Sequence, residues 1–270
     1  MVLASISLGT IGVLVKLIGD SIPFMTLNFF RVFIGFLFLL LIVPFIDKKT
    51  FKQSKRDIKD YFIIGIIYAI ALSLYTTANL FAPVQNVVLI NYSYPFFLLI
   101  FAYFLLKEKI TTTKIVTLVI AMVGLIIINL FQFGQNNIGN ILALLGAVFY
   151  GILIAEMRKE DKSHSIGDVA WFLFFASLVL LPFAIFSGIG NILDVWHYVL
   201  LLGVISTGFA YLLYNLALEK IEAEIGSIIA TIITPLVSIV LAFLIINEAI
   251  SLKTILGGAL LIIAGVYLEL

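Results

Sequence analysis

The sequence predicts an all-α integral membrane protein of ten transmembrane helices in two inverted five-helix repeats. Three observations carry this reading. The 270 residues are 63% hydrophobic and only 11% charged, against about 45–50% apolar and about 25% charged in soluble domains. The apolar residues gather into ten runs near the length of about 20 residues that crosses a hydrocarbon core of about 30 Å. Two of those runs carry a proline and a glutamate in the same register, Pro95 with Glu108 and Pro235 with Glu248.

The runs are 1–19, 22–46, 61–82, 85–106, 112–131, 138–157, 167–188, 194–218, 223–246 and 252–269. Each is bounded by polar or turn-forming residues. Gly19 and Asp20 close the first, and Asp47 with Lys48 and Lys49 closes the second. Pro83 separates the third from the fourth, and Lys107 to Lys109 end the fourth. Asn136, Asn137 and Gly139 introduce the sixth, Arg158 to Asp161 follow it, and Gly188 and Gly190 follow the seventh. Lys220 and Glu222 precede the ninth, and Asn247 and Glu248 close it. Only KKTFKQSKRDIK, residues 48–59, is long enough to be a hydrophilic loop, so 1–270 reads as one membrane domain. The first run has no basic residue ahead of it and no small-residue cleavage site, so it reads as a span and not as a cleaved signal peptide.

Orientation follows from the bias of lysine and arginine toward cytoplasmic loops. With both termini in the cytoplasm, that side holds Lys48, Lys49, Lys52, Lys55, Arg56, Lys59, Lys107, Lys109, Lys114, Arg158, Lys159, Lys162 and Lys220. The other side holds Lys253, and Lys16 and Arg31 lie within spans. A multi-pass protein of the inner membrane is expected, with the lipid bilayer as its solvent.

The register of the two proline segments extends further. Thr111 matches Ser251 at the same offset, and YTTAN at 75–79 corresponds to YNLAL at 214–218 one residue out of phase. Two halves of five spans result, 1–133 and 134–270. Five is odd, so the second half enters the membrane from the opposite face. Inverted repeats with a site between them are a recurring design of secondary transporters. Proline donates no backbone hydrogen bond and crowds the carbonyl four residues back, so Pro95 and Pro235 are expected as inward-facing hinges that free the carbonyls of Asn91 and Thr231. Glu108 and Glu248 read as interfacial structure, each three residues ahead of a hydroxyl suited to cap the next helix.

The paired segments PFFLLIFAYFLLKE and PLVSIVLAFLIINE are each followed by a glycine-bearing helix, IAMVGLIII and LGGALLIIAG. Together with IPFMTLNFFR in the second span and GNILALLGAVFYGI at the opening of the second half, they resemble the drug/metabolite transporter superfamily, EamA type. The resemblance covers essentially the whole chain; a tryptophan common before the first-span glycine is replaced here by Leu8. It implies export or exchange of small metabolites by alternating access around a pocket built mainly from spans one, three, four, six, eight and nine.

Helical spacing puts Ser227, Thr231, Thr234 and Ser238 on one face of span nine, and Val87, Asn91, Tyr94 and Leu98 on the matching face of span four. Span eight contributes Thr207, Tyr211, Tyr214 and neighbouring Asn215, and span three Tyr68, Tyr75 and Asn79. Apolar and aromatic walls with a few placed polar groups are what a small-molecule pocket needs. The same Ser, Thr and Asn side chains serve equally to join helices by hydrogen bonds. Charges inside spans cost about 2.5–3.5 kcal/mol each on insertion scales, so Lys16 and Arg31, the latter on a face with Asn28, are candidates to attract a carboxylate or phosphate. Lys16 can alternatively pair with Asp20 four residues on. Tyr150 and Trp171 complete the expected substrate-binding set of Lys16, Asn28, Arg31, Tyr75, Asn79, Asn91, Tyr94, Tyr150, Trp171, Tyr211, Tyr214, Thr231 and Thr234.

Absences narrow the chemistry. With no cysteine, disulfides, thiolate catalysis and Cys-ligated metals are excluded. Two distant histidines, His164 and His197, make no catalytic constellation. No cofactor and no metal are expected, and a net charge of +1 points to no nucleic-acid partner. All fifteen acids lie in loops or near span ends, which favours facilitated diffusion or exchange of amino acids or similar metabolites. Proton-coupled transport of drugs or phosphorylated metabolites, and a channel, stay open as alternatives, as does a homodimer.

Overall fold

In the computed structural model, described for residues 1–46, 58–107, 111–129, 135–158, 166–218, 220–221 and 223–269, every regular element is helical. Eight stretches are long and apolar enough to cross a membrane, and two shorter apolar helices, Lys114–Ile128 and Leu252–Tyr267, complete the ten. The protein is an all-α membrane protein of two repeats. Most of the 48–59 loop, Glu108, His164 and the side chain of Ser227 lie outside the described residues.

Three spans are broken where the sequence gives continuous apolar runs. The first divides into α1 (Val2–Gly9) and α2 (Ile11–Ile18), ending in a 3-10 turn, Gly19–Ser21. α3 (Phe24–Ile46) and α4 (Ile58–Phe81) are single rods. The fourth span is α5 (Val84–Asn91) and α6 (Tyr94–Phe101), extended by a π-helical turn, Ala102–Leu106. α7 (Thr112–Asn129), α8 (Gln135–Arg158) and α9 (Ile166–Ser187) follow. The eighth span is α10 (Ile192–Gly203), a π-helical turn, Val204–Phe209, and α11 (Ala210–Leu218). α12 (Ala223–Ile246) and α13 (Leu252–Glu269) end the chain.

The prolines do not act alike. Pro95 does not kink a continuous helix: the break falls earlier, at Tyr92 and Ser93, and Pro95 occupies the first turn of α6, where a missing N–H leaves no bond unmade. The Ser93 hydroxyl donates to the Ile90 carbonyl at 2.6 Å across the break. Pro235 lies buried within α12, which runs through it unbroken.

The repeat is nonetheless reproduced in backbone detail. Among the described residues, Lys107 (φ 57°) and Asn247 (φ 55°) are the two non-glycine residues with left-handed backbone, and each terminates a proline-bearing span at equivalent positions. The hydroxyls beyond them act as helix caps: Thr111 accepts from the Lys114 N–H at 3.3 Å, and Ser251 from the Thr254 N–H at 3.0 Å.

The main core joins α3, α4 and α9, with Leu39, Ile64, Tyr68, Leu72, Phe172 and Leu173 buried together. The fifth helices of the two halves, α7 and α13, pack through Gly124 and Gly257. A Cβ on Gly257 would stand 2.7 Å from the Gly124 carbonyl oxygen, and one on Gly124 would stand 2.9 Å from that of Gly257. Their outer faces, with Ile115, Val119, Met122, Leu252, Ile255 and Ile263, are exposed and apolar, as a lipid-facing surface must be.

Candidate functional site

A cavity of about 530 Å³ lies between the halves, within the range of about 300–1,000 Å³ usual for small-molecule sites. The first half contributes Ile11, Arg31, Tyr68, Tyr75, Asn91, Tyr94 and Pro95, and the second Tyr150, Phe172, Tyr211, Tyr214, Asn215 and Thr234. Its lining runs out to Lys114, Met157, Asp168 and Leu218, at the helix ends on the same side as the chain termini. It stops short of the other side.

Tyrosines make the wall. The Tyr94 and Tyr150 rings meet edge to face at 4.8 Å, Tyr68 meets Phe172 at 5.1 Å, and the Tyr211 hydroxyl donates to that of Tyr68 at 3.3 Å. Their hydroxyls put donors and acceptors on an otherwise apolar surface. At the deep end, Arg31 Nε donates to Thr207 Oγ1 at 3.1 Å, and that hydroxyl donates onward to the Leu202 carbonyl at 2.9 Å. The π-helical turn makes this possible: one extra residue in the ladder frees a carbonyl and turns Thr207 toward α3. Ser206 in the same turn shares a 2.6 Å hydrogen bond with Thr10, at the break between α1 and α2. Gly35 lets α3 approach, since a Cβ there would stand 2.9 Å from the Thr207 methyl.

The side away from the termini is shut. Glu248 follows the end of α12, and its carboxylate accepts from the Val84 N–H at 2.9 and 3.2 Å, capping a backbone donor that the first turn of α5 leaves without a helical partner. Lys16 Nζ stands 3.7 Å from the same carboxylate. Gln85 donates to the Ala249 carbonyl at 2.7 Å, and Thr254 Oγ1 donates to Asn86 Oδ1 at 2.9 Å. Beneath them Val13, Val84 and Ala242 form an apolar plug, and Ser238 donates to the Gly9 carbonyl at 2.6 Å. Burial pushes the Glu248 carboxyl above the usual carboxylate range, and Lys16 with the Val84 and Gln85 N–H groups pulls it part of the way back.

Of the residues read from the sequence as substrate-binding, Arg31, Tyr75, Asn91, Tyr94, Tyr150, Tyr211, Tyr214 and Thr234 line the cavity together with Pro95. The others sit elsewhere. Lys16 belongs to the seal, and its partner is Glu248 rather than Asp20. Asn28 donates to Ser73 at 3.3 Å, and Asn79 donates to the Tyr75 carbonyl at 2.8 Å. Trp171 stacks among Tyr61, Phe174 and Phe175. Thr231 lies against Gly265 of α13, and Pro235 is not part of the lining. Sequence reasoning missed Asp168, which is buried at the mouth of the cavity and accepts from the Tyr61 hydroxyl. Its place in the first turn of α9 made it look like a surface acid. No spacing in the sequence links it to Tyr61.

A ten-helix bundle of two repeats around a one-sided cavity is the build of a membrane carrier. The chain belongs to the EamA-like transporter family, whose model matches it twice, at residues 1–130 and 137–269. It is 28% identical to the uncharacterized transporter YoaV of Bacillus subtilis, over 92% of this chain and 88% of that one. It is 27% identical to the pseudopaline exporter CntI of Pseudomonas aeruginosa, over 99% and 94%. A protein of known crystal structure superposes with a TM-score of 0.67 at 18% identity, over 98% of this chain and 93% of that one, and shares the fold.

Proposed function

We propose that the protein moves small organic metabolites, amino acids or similar solutes, across the cytoplasmic membrane by alternating access. The observation that carries this reading is the cavity lined by both halves, reaching the helix ends on one side and sealed on the other. The basic-residue bias puts the termini in the cytoplasm, so this conformation faces inward. The moving units are residues 1–133 and 134–270. Movement in either direction fits this reading, since the similar proteins include both an exporter and an uptake transporter. Purified protein in liposomes preloaded with a mixed pool of amino acids and metabolites tests the reading. Saturable counter-exchange supports a carrier, and solute passage without trans-stimulation points to a channel.

Asp168 supports a second reading, proton coupling, because a buried acid in a transport path is a common proton carrier. Transport driven by an imposed pH gradient, and uncoupled from it by Asp168→Asn, would establish that version; exchange indifferent to the gradient rejects it.

The two prolines give a further test. Pro235→Ala is expected to lower specific transport about threefold or more while folded yield changes little, since α12 is already continuous and gains only one hydrogen bond. Equal losses of yield and specific activity would make Pro235 structural.

A further inference from the structure

Arg31 is 3% exposed, yet it lines the cavity. Its Nε is held by Thr207, whereas Nη1 has no hydrogen-bond partner. No ion pair to Arg31 exists among the described residues; the other charged groups of the lining, Lys114 and Asp168, lie at the mouth. A guanidinium stays ionised at any physiological pH. Held at membrane depth without a counter-charge it is costly, and such charges pair or mark a solute path. Thr207 is neutral and fixes only the direction of the group. Nη1 is itself closed off from solvent, and the Arg31 side chain borders the cavity together with Tyr68, Tyr75 and Tyr150.

We propose that the transported solute is an organic carboxylate whose anionic head pairs with the Arg31 guanidinium, a small side-chain turn bringing the buried, unpartnered Nη1 to it, with its body along the wall formed by Tyr94, Tyr150 and Phe172. The proposal rests on the carrier reading above and narrows it to a substrate class. A carboxylate matches the planar donor edge of a guanidinium and forms charge-assisted bonds with it. The solute supplies the counter-charge that the protein omits. The tyrosine hydroxyls bond its second oxygen, and the T-shaped ring pair at 4.8 Å offers a face to a flat or branched apolar body.

The test is thermal unfolding of the purified full-length protein against amino acids and their 2-oxo acids, each paired with its primary amide, plus phenyl phosphate. Counter-exchange of the same solutes is measured in liposomes. At least one carboxylate is expected to raise the unfolding midpoint while its amide does not. Arg31→Gln is expected to weaken that carboxylate's binding about tenfold or more, the scale of a lost charge-assisted bond. If Arg31→Gln does not fold, the acid–amide comparison in the wild-type protein decides. Amides or amines that bind as well as acids, or a carboxylate response that survives Arg31→Gln, overturn the proposal. Phenyl phosphate binding better than any carboxylate replaces the head group and overturns it too. Exchange of neutral or cationic solutes alone overturns the proposal and leaves the carrier standing, whereas no exchange of any solute overturns the carrier reading itself.

Discussion

Replacing Glu248 with alanine opens the side of the protein opposite its termini, whereas replacing it with glutamine leaves that side largely shut. Alanine removes the acceptor of the Val84 N–H, made at 2.9 Å, and leaves an unsatisfied donor at the head of α5. A hydrogen bond to a charged group is worth about 1.5–3 kcal/mol, so the ratio of sealed to open protein falls by about tenfold or more. Glutamine keeps a carbonyl oxygen in the same place. The loss of charge costs little, because burial outweighs Lys16 and the amides in setting the Glu248 carboxyl above its ordinary range. The chain has no cysteine, which makes the measurement clean. A cysteine introduced at Ile11, in the cavity wall, is labelled by an impermeant maleimide added from the sealed side. The rate rises about tenfold with Glu248→Ala and less than about threefold with Glu248→Gln; equal rates in the two variants would show that charge, not hydrogen bonding, holds the seal.

The same shift fixes the sign of the pH response. The sealed form binds a proton at Glu248 more tightly than a form with that carboxyl in water, whose ordinary value is 4.5. Acidification toward that value therefore favours the sealed form, and the advantage stops growing once both forms are protonated. Labelling at Ile11→Cys slows as pH falls through this window once the rate is corrected for thiolate content. Faster labelling at low pH would reverse the assignment of burial as the dominant influence.

Gly257→Val removes most of the folded protein. The added side chain meets the Gly124 carbonyl oxygen at 2.7 Å and Ile128 Cγ1 at 2.6 Å. Overpacking costs about 1–3 kcal/mol when side chains can give, and here one obstacle is backbone. The damage falls on the contact between the fifth helices of the two halves, which give the cavity lining only Lys114 at its mouth, so solute binding by whatever protein still folds is expected to be normal. Size-exclusion profiles after graded heating measure the first effect, and ligand-induced stabilisation measures the second. A valine variant as heat-resistant as the parent would mean that α7 and α13 can separate at no cost.

The ten spans and their repeat were legible because they depend on apolar length and on residues with fixed chemistry. Lys107 with Asn247 and Thr111 with Ser251 end and restart helices by local geometry, which the sequence states outright. The breaks at Thr10 and Tyr92 and the π-helical turn at 204–209 depend on which carbonyl each N–H selects, and no residue pattern announces that. Lys16 shows the limit most plainly. Its i+4 pairing with Asp20 presupposes a continuing helix, but α2 ends at Ile18 and Gly19 turns the chain at φ 53°. That leaves Lys16 to a glutamate from the other half. Asp168 was hidden for the opposite reason: its position near a span end was read correctly, but burial there comes from α4, distant in sequence.

The unequal proline spans make the two halves mechanically different. α12 passes through Pro235 without a break, so it can carry a displacement at one of its ends to the other and yields only where Pro235 omits a hydrogen bond. Its mate is jointed at Tyr92 and Ser93, and α6 can swing on that joint while α5 stays under the Glu248 carboxylate. In the alternating access proposed above, opening toward the termini would draw first on the jointed span, and opening the other way on the continuous one. Under that proposal similar repeats would give dissimilar barriers, with solute loading and solute release timed by different residues.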